Sequence, residues 1–294
     1  MSRIQEILNK AERDGTARRT RALSDQSGAA AVAAPPMAPA PHMTTPAFES
    51  PAAWTPPSLE DPDLSVTTPT LDARLVAALA PQSPPAERYR LLRTRVKRAE
   101  NGRSIRAIVV TSPAKGDGKS LTAANLALTM AQEFNQRVLL LDADLRRPSL
   151  AQLFGIPEGP GLSDVLLGAH EMDRALVHLA DQHLTVLPAG SPASQPAELL
   201  GSAAMRRVLD TLRTRFDRIL IDMPPVAPLA DVHVISPMID GLLMVVRAGI
   251  TPKPAIERAL SGLDMGKVLG LVLNAAGDGG VEGYGDDGYG YIAG

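Results

Sequence analysis

The chain has 294 residues, a formal net charge of −2 and no cysteine. That length allows one or two domains. The charge gives no general drive toward nucleic acid, and the missing thiols exclude a disulfide framework, thiolate catalysis and a Cys-rich zinc site. No apolar run reaches the length that spans a bilayer, and the first residues lack a signal peptide's apolar block. A reducing cytosol is the expected setting.

In chain order, residues 1–24 come first as a short amphipathic helix. Ser2 is placed to cap it, and Ile4, Ile7, Leu8 and Ala11 share one stripe. Basic residues outnumber acids there, so the segment reads either as a docking helix for a partner or anionic lipid, or as a frayed solvated helix. Residues 25–86 are rich in Pro, Ala, Ser and Thr, and residues 25–87 hold thirteen of the 26 prolines. Such a composition cannot bury enough apolar surface to offset its ordering entropy, and it reads as a disordered linker. The folded unit is expected over 87–278, followed by a Gly- and Tyr-rich flexible tail over 279–294.

An apolar run from Ile108 then enters PAKGDGKS, Pro113–Ser120. Small residues let successive backbone N–H groups turn toward an anion, and the helix that follows presents its positive end. Lys115, Gly116, Asp117, Gly118, Lys119, Ser120 and Leu121 are the candidate nucleotide-binding residues. Lys119 would reach the β- and γ-phosphates, and the Ser120 hydroxyl would ligate Mg²⁺. The helix is expected from Lys119 to Phe134, with Leu126, Met130 and Phe134 on its buried face.

Further strands read as continuous apolar runs, the mark of burial on both faces of a parallel sheet. One begins at Arg137 and ends at Asp142, and another begins at Phe216 and ends at Asp222. In open α/β sheets ligands sit beyond the carboxyl ends of the strands, so both acids should face the phosphate loop. Leu184–Leu187, Gly241–Val246 and Val268–Leu273 complete the strands. A long helix is expected over Pro196–Arg215 and another over Pro254–Leu263. Strands alternating with helices give a three-layer α/β P-loop NTPase fold with a mostly parallel central sheet.

Three motifs now form a set: PAKGDGKS, LLLDADLR over 139–146, and ILID over 219–222. The middle one looks like a Walker A′ motif, Asp-x-Asp-x-Arg after three apolar residues. Together they resemble the bacterial tyrosine kinases of capsule and exopolysaccharide synthesis, the BY-kinases. The resemblance extends to DGLLMVVR over 240–247 and GLVLN over 270–274. Glu87, Arg90 and Arg93 fit the Glu-x-x-Arg-x-x-Arg motif by which such domains associate into rings; on a helix they share a face. On spacing alone an exposed intrahelical charge pair, worth only tenths of a kcal/mol, is the better reading. Three of the four tyrosines, Tyr284, Tyr289 and Tyr291, lie in the last eleven residues.

The resemblance implies an ATP- and Mg²⁺-dependent protein-tyrosine autokinase that regulates polysaccharide polymerisation and export. Lys119, Asp142, Asp144 and Arg146 are the candidate catalytic residues, with Asp142 accepting the phenolic proton. Ser120, Asp142 and Asp222 are the candidate Mg²⁺ ligands, and Asn274 would read adenine. Tyr284, Tyr289 and Tyr291 are the expected phosphorylation sites. Implied partners are further copies of the chain in a ring, a transmembrane co-polymerase or chain-length regulator, and a cognate tyrosine phosphatase, with no nucleic acid. The protein would be cytoplasmic, recruited to the membrane's inner face by that partner. Two other functions fit the motifs: a Min/Par-like positioning ATPase, and a non-catalytic nucleotide-binding regulator of a membrane polysaccharide complex. Ala114 stands where the Min/Par branch carries its signature lysine, which argues against the first.

Overall fold

The Pro- and Ala-rich segment contains helix at its C-terminal end. A computed structural model describes residues 70–133, 136–226 and 231–276. The first element among the described residues is a short helix, α1 (Val76–Leu79), and α2 (Pro84–Ala99) follows. Leu75 and Ala77 are core residues. Residues 70–86, which composition assigns to the linker, therefore belong to the fold. The physical reason lies in Pro84 and Pro85: they occupy the first helical positions, where a missing N–H costs nothing, and Ser83 accepts a hydrogen bond from Ala86 N as the cap.

Next come β1 (Ala107–Thr111), α3 (Lys119–Ala131), β2 (Val138–Asp142), α4 (Leu150–Phe154), α5 (Leu162–Leu166) and α6 (Met172–Ala175). A short β3 (Val177–Leu179) pairs antiparallel with β4 (Leu184–Leu187). The expected helix over 196–215 is two helices, α7 (Pro196–Leu200) and α8 (Ala203–Arg215). Its break falls at Gly201–Ser202, where the Ser202 hydroxyl caps α8 by accepting from Met205 N. Then follow β5 (Arg218–Asp222), α9 (Asp231–Ile235), β6 (Gly241–Arg247), α10 (Lys253–Ser261) and β7 (Val268–Asn274).

The seven strands form one sheet in the order β3-β4-β2-β5-β1-β6-β7, parallel except at β3–β4. Their registers bring the ends of β1, β2 and β5 level: Asp142 stands opposite Asp222, and Val110 opposite Asp222 on the other side. Both faces are covered, as continuous apolar strands require. Val109, Leu139, Leu141, Ile219 and Ile221 pack with α8 and α9 residues such as Leu209 and Val232. Ile108, Val110, Leu140 and Leu220 pack against α3.

Helix α3 departs from a one-sided amphipathic pattern. All ten residues from Thr122 to Ala131 are buried, because the helix lies between the sheet and α1–α2. Small residues, Ala123, Ala124 and Ala127, allow that close approach. Phe134, expected on its buried face, lies outside the described residues, as do residues 1–69 and 277–294. Among the described residues no helix is long and apolar enough to cross a membrane.

Candidate active site

Gly116 and Gly118 adopt φ of +89° and +94°, a left-handed conformation that L side chains rarely take. They turn the loop between β1 and α3 so that Gly118 becomes the cap of a 13-residue helix. Lys115 and Gly116 are exposed at the loop tip, while Leu121 is half-buried against the core on the α3 side of the sheet. A helix N-terminus fed by such a loop directs backbone N–H groups at an anion.

Asp117 is buried, and its side chain holds the loop from within. One carboxylate oxygen accepts from Ala114 N at 2.9 Å, and the other accepts from the Thr251 hydroxyl at 2.7 Å. Asn274, from the end of β7, donates its amide to the Asp117 carbonyl at 2.8 Å. The two elements interlock: a Cβ on Gly118 would fall 2.0 Å from Asn274 Nδ2. One donor of the amide expected to read adenine is thus engaged with the loop itself. Thr251, beyond β6, is a loop-bracing residue with no motif of its own.

Lys119 gathers the candidate catalytic residues. Its Nζ lies 2.8 Å from Asp144 Oδ2 and 3.3 Å from Asp222 Oδ1, and donates to Ser120 Oγ at 3.0 Å. Asp142 and Asp222 are fully buried. One Asp142 oxygen accepts from Ser149 N and Leu150 N, each at 3.0 Å, and the other accepts from Asp144 N at 3.2 Å. Burial pushes both carboxyls above the ordinary carboxylate range. The Asp222 charge adds to the rise at Asp142, while the Ser149 and Leu150 amides and Lys119 pull it back. At Asp222, Lys119 and Ser120 oppose the burial. Burial also works against the Lys119 charge, but Asp222, Asp144 and Asp142 together outweigh it and raise its pKa.

Arg146 makes its hydrogen bonds outside this cluster. It forms a forked pair with Asp231 at 2.8 and 3.1 Å, and Asp231, at the start of α9, is fully buried. Sequence reasoning did not single out Asp231, which lies 85 positions from Arg146.

The donor set fits a small hard dication carried by a nucleotide. Three carboxylates against one ammonium leave excess negative charge, and Ser120 Oγ supplies a neutral oxygen beside them. Among the described residues no three acids or histidines converge into a complete metal cage. Mg²⁺ needs none, since it keeps waters and takes one or two carboxylates together with phosphate oxygens.

The three residues of the expected ring motif are engaged within this chain. Arg90 pairs with Glu87 at 2.8 Å, one helical turn away. Arg93 donates to the Thr129 carbonyl and lies 3.1 Å from Glu133, tying α2 to the end of α3. Tyr89, beside Arg90 on α2, is half-buried; burial raises its pKa, and Thr122 opposes that rise. The tail tyrosines Tyr284, Tyr289 and Tyr291 lie outside the described residues.

A mostly parallel sheet with a glycine-turned phosphate loop, its lysine and two strand-terminal carboxylates define a P-loop NTPase. Residues 104–274 match the ParA family model, described as NUBPL iron-transfer P-loop NTPase; a chain without cysteine has no thiolate for the iron of that description. The tyrosine-protein kinase YwqD of Bacillus subtilis is 34% identical over 206 residues, covering 69% of this chain and 86% of the relative. The succinoglycan biosynthesis transport protein ExoP of Rhizobium meliloti is 34% identical over 200 residues, 66% of this chain but 25% of that longer protein. Among solved structures, the kinase domain of the Escherichia coli tyrosine kinase ETK superposes with a TM-score of 0.66 at 27% identity, covering 74% of this chain and 84% of that one. The chain belongs to the bacterial tyrosine-kinase family.

Proposed function

We propose that the protein is an ATP- and Mg²⁺-dependent protein-tyrosine autokinase acting in exopolysaccharide or capsule synthesis. The observation that carries this reading is the contact of Lys119 with Asp144 and Asp222 at the mouth of the phosphate loop, in a chain 34% identical to a tyrosine-protein kinase over 86% of that relative's length.

In phosphoryl transfer the protein chiefly positions the reactants and neutralises charge. Backbone N–H groups from Lys115 to Ser120 receive the phosphate oxygens, and Lys119 follows the charge that develops on the transferred group. Ser120, Asp142 and Asp222 would hold Mg²⁺, which when bound neutralises phosphate charge. Asp142 receives the phenolic proton. An ordinary Asp, of pKa near 4, cannot remove a proton from a phenol near 10 beforehand. Burial makes Asp142 more basic than usual, and it acts late, once bond formation acidifies the hydroxyl. Asp144, 2.8 Å from the Lys119 Nζ, holds that side chain in place.

Acceptor tyrosines would come from Tyr284, Tyr289 and Tyr291 of a neighbouring copy, in a ring joined through the α2 face of Glu87 and Arg90. A transmembrane co-polymerase would recruit the protein to the inner face of the membrane, and a phosphatase would reset the tail. Incubation with γ-labelled ATP and Mg²⁺ tests the reading. Label on protein tyrosine supports it. Free phosphate with an unlabelled chain points to a positioning ATPase, and nucleotide binding without turnover to a non-catalytic regulator.

A further inference from the structure

Arg146 is held in place by a residue that the phosphoryl-transfer chemistry does not use. Its Nε and Nη2 donate to the two oxygens of Asp231, and among the described residues these are its only hydrogen bonds. Asp231 is fully buried, whereas the Arg146 side chain keeps 39% of its surface exposed. A forked pair of this kind fixes the plane of the guanidinium and leaves its outer N–H groups to the solvent. Asp144 and Glu198 lie close enough to act on its charge. Arg147 follows, also exposed, with its backbone N–H bound to Asp144 Oδ1 at 3.1 Å. The turn that sets Asp144 against Lys119 therefore presents two arginines outward.

Sheet order places this basic rim. Asn274 and Thr251 brace the phosphate loop from the β6–β7 side. Strands β2 and β5, which carry Asp142 and Asp222, lie on the opposite side of β1. Arg146 follows β2 and Asp231 follows β5, so the rim stands on the side of the carboxylates, where an acceptor hydroxyl has to arrive.

Charge then identifies the acceptor. Asp142, Asp144 and Asp222 would repel an acidic peptide. Yet residues 277–294, which hold three of the chain's four tyrosines, carry Asp278, Glu282, Asp286 and Asp287 and no Lys, Arg or His. We propose that Arg146, oriented by Asp231, and Arg147 select acceptor tyrosines flanked by carboxylates, the tail of a second copy among them. For its substrate this selection rests on the tyrosine-kinase reading. Asp231 is a positioning residue in it.

The test uses the full chain with Mg-ATP and three peptides: Gly-Tyr-Gly-Asp-Asp-Gly-Tyr-Gly, and the same peptide with Asn-Asn or Lys-Lys at the centre. Phosphotyrosine formation gives kcat/KM for each, and fluorescence anisotropy gives its binding beside a non-hydrolysable ATP analogue. The wild type should favour the Asp-Asp over the Asn-Asn peptide about fivefold through KM, the scale of a partly exposed ion pair. R146Q and R147Q should each reduce that ratio, D231N should mimic R146Q, and R146E/R147E should shift the preference toward Lys-Lys. A purely structural role for the Arg146–Asp231 pair would slow all three peptides alike and leave the ratio intact. R147Q guards against misfolding, since among the described residues no side-chain hydrogen bond or ion pair of Arg147 holds the turn. Equal use of the Asp-Asp and Asn-Asn peptides by the wild type, or an unchanged ratio in R146Q/R147Q, would overturn the proposal. Arginine-dependent binding of the Asp-Asp peptide with phosphate transferred to no peptide would instead refute the kinase reading and leave the recognition standing.

Discussion

Lys119 and Asp144 form a 2.8 Å ion pair at a site where both side chains are largely shielded, with 12% and 5% of their surfaces exposed. Lys119 is therefore part of the protein's own charge balance as well as the proposed phosphate ligand. Lys119→Met should lower ATP turnover at least about a hundredfold, the scale set by removing one transition-state donor. It should also destabilise the fold by about 3 kcal/mol, since a buried charge pair loses one member. Phosphate release and urea unfolding measure the two effects. Wild-type turnover would remove Lys119 from the phosphate site, and wild-type stability would mean the carboxylates do not depend on it.

Asp142→Asn and Asp222→Asn should both weaken Mg²⁺-dependent activity, because an amide is the poorer ligand. They should differ in recovery. Asp142 anchors its turn by accepting three backbone N–H groups, and an Asn would turn one donor toward another. Titration of each variant with Mg²⁺ should restore part of the activity of Asp222→Asn and little of that of Asp142→Asn. Equal recovery would reduce Asp142 to a metal ligand alone.

Gly118→Ala should weaken nucleotide binding about tenfold or more, since an L side chain at positive φ is strained and its Cβ meets Asn274. Adding Asn274→Ala removes the clash but not the strain, so the double variant should recover only part of the affinity. Titration with a fluorescent ATP analogue reads both. Wild-type affinity in Gly118→Ala would show that the interlock with β7 plays no part.

The Glu87, Arg90 and Arg93 face divides by energetics. Arg93→Ala should cost about 1 kcal/mol, lost from its bonds to Thr129 and Glu133. Glu87→Ala and Arg90→Ala should leave the melting temperature nearly unchanged, as exposed charges do. Glu87→Ala/Arg90→Ala should then lower the mass seen by light scattering with Mg-ATP at matched concentration, while the melting temperature stays put. Unchanged mass would leave the pair as an intrahelical contact only.

The six parallel strands, the order of the three phosphate-site motifs and the two strand-terminal acids are legible in the sequence because each is local: an apolar run, a turn, a carboxylate; the short antiparallel β3, only three residues long, is not. What the sequence hides is long-range or ambiguous. Asp117 meets Thr251 134 positions away, and Arg146 meets Asp231 85 positions away. No periodicity marks such a pair in a single chain. The start of the fold is hidden for another reason, since Pro84 and Pro85 look like linker yet open a helix. Helix α3 carries small and apolar residues on every side, so its burial between two layers looks like one amphipathic stripe when only Leu126 and Met130 are counted. The family resemblance puts Arg93 on a docking face, while its long side chain reaches α3.

Intact mass and site mapping after incubation with Mg-ATP test the central claim most directly, comparing the wild type with a variant in which Tyr284, Tyr289 and Tyr291 are all Phe. Phenylalanine keeps each ring and removes only the acceptor hydroxyl. The fourth tyrosine, Tyr89, is half-buried on α2. The account predicts phosphate on the wild-type tail, little on the triple variant, and equal ATP binding by both. A wild-type chain that turns over ATP and emerges with no phosphotyrosine would contradict it.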